Sequence, residues 1–351
     1  MFTPPRCPNP CCKHHLDPAD WRYQRRGSYR PKCRRFSIAR YQCMTCRRTF
    51  SRQSFRADRG DRRPETNARV FEMLGSGVGL RQIARTLGLN PQSVQNKLRK
   101  YGRVLAQMHD NLCPRLPEGR TFVLDEEETY EQKSIRPLTV PILLEAETWF
   151  VVATEVGAIR RLAPVGTARR RKQDLDEQRH GRRRDQSRQC VRKVLEKLRD
   201  RVPEGVLTLR SDEKGSYATL VREVFGSRAR HETTSGRDPR TTCNPLFAIN
   251  VTIAMSRDNN GRLRRKSWLV TKSAGKLVHQ LAVFVAYRNY IRRRFNRDPA
   301  TDSPAKLLGL LPRALTWREV LRWRQDWGQL SIHPLSRSGL RPVGEPVPCA
   351  A

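Results

Sequence analysis

Residues 120–125 read Arg120-Thr121-Phe122-Val123-Leu124-Asp125, a short apolar run that ends in an acid. Such a run predicts a buried strand with a carboxylate at its exit. Working outward, 138–144 and 149–154 predict two more strands, divided by a polar turn over 145–148. A helix follows over 186–201, with Val191, Val194, Leu195 and Leu198 on one face. A fourth strand covers 206–209, and Asp212 lies just beyond its end. A second helix over 217–225 and a short strand over 228–233 complete the region.

Three strands, a helix, a strand leading to Asp, a helix and a further strand resemble the ribonuclease-H-like order. In that architecture the first and fourth strands are neighbours, so the resemblance sets Asp125 and Asp212 side by side. Two carboxylates on adjacent strands can share a pair of Mg2+ or Mn2+ ions, which take hard oxygen ligands. One ion activates water or a DNA 3′-hydroxyl and the other stabilises the leaving oxygen. Glu126, Glu127 and Glu128 extend the first acid into a run that reads as plain surface charge.

Six of the ten cysteines fall before residue 47, clustered rather than scattered. Cys7-Pro8-Asn9-Pro10-Cys11 and Cys43-Met44-Thr45-Cys46 are two tight turns carrying paired thiols. Turns about 30 residues apart can close one tetrahedral thiolate zinc site of the ribbon kind. The expected ligands are Cys7, Cys11, Cys43 and Cys46, with Cys12 able to replace Cys11 by a one-residue shift. His14, His15 and Cys33 are further possible ligands. The chain between the turns alternates like short strands, and zinc would supply much of the folding energy of so small a module. Cys113, Cys190 and Cys243 stand singly and read as reduced thiols.

From Glu65 the pattern turns helical, with Val70, Phe71 and Leu74 at helical spacing before Gly75-Ser76-Gly77. Residues 80–89 follow, with Ala84 small enough for a close helix crossing and Gly88 at a turn. Asn90-Pro91 opens the next helix with a cap and a proline at its first position. This is a helix-turn-helix pattern. Gln92, Ser93, Gln95, Asn96 and Arg99 are expected to face outward and read base edges, while Lys97 and Lys100 suit phosphates. The plain alternative is a three-helix bundle with no role in DNA binding.

The chain carries 70 Lys and Arg against 34 Asp and Glu, a formal charge of +36. Such an excess favours a polyanionic partner and salt-sensitive binding. No run of about 18 apolar residues and no charged-then-apolar leader is present, so neither a membrane span nor a signal peptide is expected. Residues 166–184, with Arg169-Arg170-Arg171-Lys172 and Arg182-Arg183-Arg184, read as a mobile basic insertion touching phosphates.

Together these motifs resemble insertion-sequence transposases that join a zinc ribbon and a helix-turn-helix to an Asp-Asp-Glu domain. The likeness runs from Cys7 to about Phe295. Asp125-Glu126 matches the family's first acid, and Ser211-Asp212 with Gly215 and Tyr217 matches the second. The family's third acid is a Glu on a late helix, often within His-x-Glu, ahead of an Arg-rich stretch and a Ser-Lys. The helix is expected over 244–259, and Arg262-Leu263-Arg264-Arg265-Lys266-Ser267-Trp268 matches the basic stretch. Where the acid would fall the chain reads Val251-Thr252-Ile253, so the third carboxylate is expected to be lost near Ile253. Asp258 is five residues on, about 140° around the helix.

The expected fold class is α+β multidomain: a zinc ribbon over 1–58, a helical helix-turn-helix domain over 62–112, and a ribonuclease-H-like α/β domain over 118–300. A helical extension over 301–335 and a disordered tail over 336–351 follow. Residues 276–296 predict a long helix, and Trp317, Trp323 and Trp327 read as core rather than stacking platforms. The resemblance implies a DNA transposase with structural zinc and catalytic Mg or Mn, acting on double-stranded element ends and target as a homo-oligomer. It also implies a cytoplasmic, bacterial nucleoid-associated location. The alternative is a DNA-binding regulator whose catalytic domain has decayed.

Overall fold

The computed structural model describes residues 2–9, 11–15, 17–30, 36–113, 115–265, 267–296 and 301–324. Strands β1 (Tyr23–Tyr29), β2 (Ile38–Cys43) and β3 (Thr49–Ser51) form an antiparallel sheet. Its small core holds Cys7, Cys12, Cys43, Phe50 and Phe55. Phe50 stacks on Tyr41 with ring centroids 5.6 Å apart.

Three helices follow: α1 (Asn67–Gly75), α2 (Leu80–Thr86) and α3 (Pro91–Leu112). Val70, Phe71, Leu74, Ile83, Val94 and Leu98 are buried, the stripe expected of an amphipathic bundle. Helix α3 does not stop where the bundle does. Its second half buries Val104, Leu105, Met108 and Leu112 in the same core as the following sheet. His109 on this half reaches the Val152 carbonyl through Nε2 and the Tyr290 hydroxyl through Nδ1, both at 2.9 Å.

The second sheet begins with β4 (Thr121–Tyr130), β5 (Pro137–Glu145), β6 (Val151–Thr154) and the two-residue β7 (Gly157–Ala158). Helices α4 (Ala168–His180) and α5 (Ser187–Arg201) lead to β8 (Leu207–Asp212). Helix α6 (Gly215–Phe225), β9 (Ala229–Thr234) and α7 (Phe247–Asn259) come next. The chain continues through α8 (Ala274–Ala286), α9 (Pro304–Leu307) and α10 (Trp317–Arg322). The strand order is β6-β5-β4-β8-β9, with β7 paired to β5. Strands β4, β8 and β9 run parallel, and β5 is antiparallel to β4 and β6. Strands β4 and β8, which carry Asp125 and Asp212, are therefore neighbours, as expected, although the short β7 makes β8 the fifth strand in chain order.

Alternation along β4 divides its side chains between two cores. Phe122 and Leu124 join a core with α3, α5 and α6, while Val123 joins one with α7 and α8.

Three sequence expectations need correction. Strand β4 does not end at Asp125 but runs five residues further to Tyr130, because β5 pairs with it along that whole length. The basic stretch expected to be mobile forms α4, and side-chain bonds dock it. Arg136 grips Asp176 through two bonds of 2.6 and 2.7 Å, and Arg160 grips Glu177. Buried Gln173 accepts the Ala163 N–H and donates to the Arg161 carbonyl, each at 2.8 Å. The long helix expected over 276–296 ends as α8 at Ala286 and passes into a single π-turn, Tyr287–Ile291.

Trp323 is buried and half-buried Trp317 stacks on Tyr287 at 4.8 Å, so both serve the core. Trp327, Cys33, Cys349 and the tail lie outside the described residues. Among the described residues no helix is long and apolar enough to cross a membrane.

Candidate metal centres and nucleic-acid interface

The cysteines converge, with one change of partner. The sulfurs of Cys7, Cys12, Cys43 and Cys46 all lie within 4.8 Å of one another. Cys7 Sγ is 3.7 Å from Cys46 Sγ, and Cys12 Sγ is 3.9 Å from Cys43 Sγ. Tetrahedral thiolates 2.3 Å from a zinc stand about 3.8 Å apart, so the cage fits that ion. Cys11, expected as a ligand, is exposed. The reason is local: the Cys12 N–H bonds to the Asn9 carbonyl at 3.0 Å, and the His15 N–H bonds to the Cys12 carbonyl at 2.9 Å. That turn aims Cys12 inward and Cys11 out.

His14 and His15 are not ligands; their Nδ1 atoms meet the Asp17 and Cys7 carbonyls. Burial raises the Cys43 thiol, yet the Cys46 N–H and the Trp21 indole outweigh it and bring Cys43 down to about 6. A thiol held as thiolate is what a metal takes. Bound zinc would contribute cross-linking of the two turns, and the cysteines would hold it.

Helices α2 and α3 meet at a tight turn. Gly88 takes a φ of +58°, and the Leu89 N–H closes the turn on the Ala84 carbonyl at 2.8 Å. Asn90 caps α3 by accepting the Gln92 N–H at 2.8 Å, with Pro91 at the first position. Gln92, Ser93 and Arg99 are exposed, and Gln95 and Asn96 half-buried, along one face. Gln92 Nε2 and Arg99 Nη2 both donate to Asn96 Oδ1, so these side chains form one row.

Lys97 and Lys100 are a correction. Lys97 is buried and donates to Asp61 Oδ2 at 3.0 Å, the Arg63 carbonyl at 3.2 Å and Asn67 Oδ1. Lys100 is committed to the other oxygen of Asp61 and to the Arg59 carbonyl. Position 97 faces inward with Val94 and Leu98, and a buried lysine must be paired. These lysines anchor α3 to the segment before α1 and are not free to meet phosphate.

The two aspartates stand on one face of the second sheet. In the parallel pair β4–β8, Val123 lies opposite Arg210. Two residues further along each strand come Asp125 and Asp212, near enough for the charge of Asp212 to act on Asp125. Each is half-buried, and the Lys214 N–H bonds Asp212 Oδ1 at 3.2 Å. Burial, followed by the charges of Asp212 and Glu126, pushes the Asp125 carboxyl up to about 6. Arg240, in the loop after β9, opposes that rise. Two neighbouring carboxylates, with burial working against the charge of Asp125, form a donor set that suits a hard divalent ion.

On α7, Ile253 is buried and shares the apolar cluster with Val123 and Ile142. It is a core residue, and among the described residues the cysteine cage is the one group of three or more metal-type ligands that converge. Mg2+ is often held by one or two carboxylates with substrate phosphates and waters filling the rest, so a pair remains a workable donor set.

The glutamates beside Asp125 were read as surface charge, and they are not. Glu126 points to the opposite face and accepts four donors: Thr139 Oγ1 at 2.6 Å, Ser187 Oγ at 2.8 Å, Tyr217 OH at 2.9 Å, and Lys214 Nζ. Burial raises its pKa, but Lys214 and Thr139 outweigh that and hold it below the usual glutamate value. Glu127, on the Asp125 face, is fully buried and bonded to Ser256 Oγ and, at 2.8 Å, to Arg257 Nε of α7. Burial leads there, and its carboxyl is pushed up to about 6. Period-two alternation could have marked Glu127 as inward like Asp125; the helices that cover both faces were the missing signal.

No family model matches the chain, and no curated protein does. One solved structure that it resembles is the cryoEM structure of the simian T-cell lymphotropic virus intasome in complex with PP2A regulatory subunit B56 gamma. The overlap covers 69% of this chain and 72% of that one, at 10% sequence identity and a TM-score of 0.27. So loose an overlap carries no functional inference.

Proposed function

We propose that the chain is a DNA transposase, binding element ends through its zinc ribbon and helix-turn-helix and breaking strands at Asp125 and Asp212. What supports this reading is that Asp125 and Asp212 lie on neighbouring parallel strands, near enough for the charge of Asp212 to act on Asp125. Their carboxylates would hold Mg2+ or Mn2+, which when bound would activate the attacking oxygen and stabilise the leaving one. Glu126 would keep the two strand ends in register from the far face. Arg240 would meet the phosphate whose charge enters the site. The outward row Gln92, Ser93, Gln95, Asn96 and Arg99 would read base edges in a major groove. Action as a homo-oligomer on paired ends belongs to the same reading.

The test is Mn2+-dependent nicking of a labelled duplex spanning an element end and its flank, by wild type, Asp125→Asn and Asp212→Asn. With two carboxylates in place of three, slow nicking is expected from wild type. Loss of about a hundredfold or more is expected from either variant, with duplex affinity unchanged. Nicking that survives both substitutions would overturn the assignment. Duplex binding with no nicking by any of the three would leave a DNA-binding regulator.

A further inference from the structure

Trp268 is 86% exposed, an indole left in water where the other described tryptophans are buried or half-buried. The Lys272 ammonium lies 4.9 Å from its ring centroid. Trp268 stands on the rim of a groove of about 400 Å³ between α2 and residues 261–272. Arg81, Gln82 and Arg85 of α2 line one wall, and Arg262, Leu269 and Lys272 line the other. No acid lines it among the described residues. Two glycines let the walls come together: a Cβ on Gly79 would stand 2.8 Å from Leu269 Cδ2, and one on Gly261 3.1 Å from the Gly77 carbonyl oxygen.

This combination has a chemical meaning. An exposed indole flanked by cations presents a flat apolar face for a base and positive charge for the phosphates beside it. A duplex offers base edges in its grooves and hides base faces inside its stack, so it cannot use the indole along its length. A strand with unpaired bases can. The position adds direction, because α2 precedes the helix proposed to enter a major groove and brings two exposed arginines to the groove wall.

We propose that this groove binds an unpaired stretch of DNA, one base stacked on Trp268 and the backbone held by Arg81, Arg85 and Lys272. The proposal rests on the DNA-binding part of the reading above and not on cleavage. The unpaired stretch would be the strand end displaced or freed beside the duplex that α3 reads.

The test compares full-length wild type, Trp268→Ala and Trp268→Phe for binding of a fluorescein-labelled oligothymidine strand and a fluorescein-labelled blunt duplex. Fluorescence anisotropy is read without added divalent ion, so catalysis plays no part. Trp268→Ala is expected to weaken strand binding about tenfold while leaving duplex affinity within about twofold, and Trp268→Phe to restore most of it. Duplex binding reports that the variant is folded. Trp268→Ala binding the strand as tightly as wild type would overturn the proposal, as would equal losses on strand and duplex. Wild type that binds neither probe would defeat the DNA reading itself.

Discussion

Gly102 of α3 lies directly on His279 of α8: a Cβ at Gly102 would stand 2.6 Å from both the Cα and the Cβ of His279. No side chain fits between the two helices, so the crossing is made backbone to backbone. Gly102→Leu should unseat α3 from α8 and cost several kcal/mol, as overpacking at a rigid contact does. A drop in Tm of about 10 °C or more by calorimetry is expected; an unchanged Tm would mean the helices do not cross here.

Zinc stoichiometry separates the two neighbouring thiols. Cys12→Ser should lose bound zinc and unfold the N-terminal sheet, because a structural site needs all four thiolates. Cys11→Ser should keep one zinc per chain. Elemental analysis of the purified variants decides it, and retention by Cys12→Ser would return the ligand role to Cys11.

Outward and inward residues of α3 should fail in different ways. Gln92→Ala and Arg99→Ala should weaken duplex binding with stability unchanged. Lys97→Ala should take from buried Asp61 one of its two lysine partners and destabilise the fold by about 2 kcal/mol. Urea unfolding beside anisotropy titrations reads both effects. Loss of DNA affinity in Lys97→Ala with unaltered unfolding would contradict the inward placement.

Glu126→Ala strips four donors of one acceptor and should cost about 3 kcal/mol or more. Glu126→Gln keeps the shape and loses the charge that Lys214 pairs with, so a smaller loss is expected. Because Lys214 and Tyr217 lie two and five residues after Asp212, Mn2+ binding read by electron paramagnetic resonance should weaken in Glu126→Gln as well. An unchanged Mn2+ affinity would confine Glu126 to a packing role.

His109 gives a pH signature. Burial, reinforced by Arg201, lowers its pKa to about 3. An unfolded histidine protonates near 6.5, so the unfolded state takes up a proton that the folded state refuses. Stability from this group is therefore fully present above about pH 6.5 and is lost as pH falls from there toward 3, by about 1.4 kcal/mol per pH unit. His109→Gln should flatten that part of the urea-stability profile. An identical slope in the variant would assign the acid sensitivity elsewhere.

Much of this architecture was legible because it rests on period and punctuation. Apolar runs marked β4, β5 and β8; Asn90-Pro91 and Gly88 marked the turn into α3. The failures share a cause, which is that sequence alone hides what lies opposite a residue. Cys11 and Cys12 occupy the same turn, and only the closing hydrogen bonds choose between them. Lys97 reads as a surface cation until Asp61 is seen beneath it. Glu126 and Glu127 read as one acidic surface until helices cover both faces of the strand. Helix α4 has no apolar stripe to announce it, since Arg136 and Arg160 hold it through its acids. The metal role of Asp125 and Asp212 belongs to the proposal; their adjacency followed from strand order.

Helix α3 is a single 22-residue rod whose first half carries the outward polar row and whose last turns are locked into the second sheet. At 1.5 Å per residue it is about 33 Å long. A stiff spacer of fixed length acts as a ruler. On the proposed reading, the bond broken in DNA would sit at a constant offset from the bases read, set by the protein and not by the sequence between them.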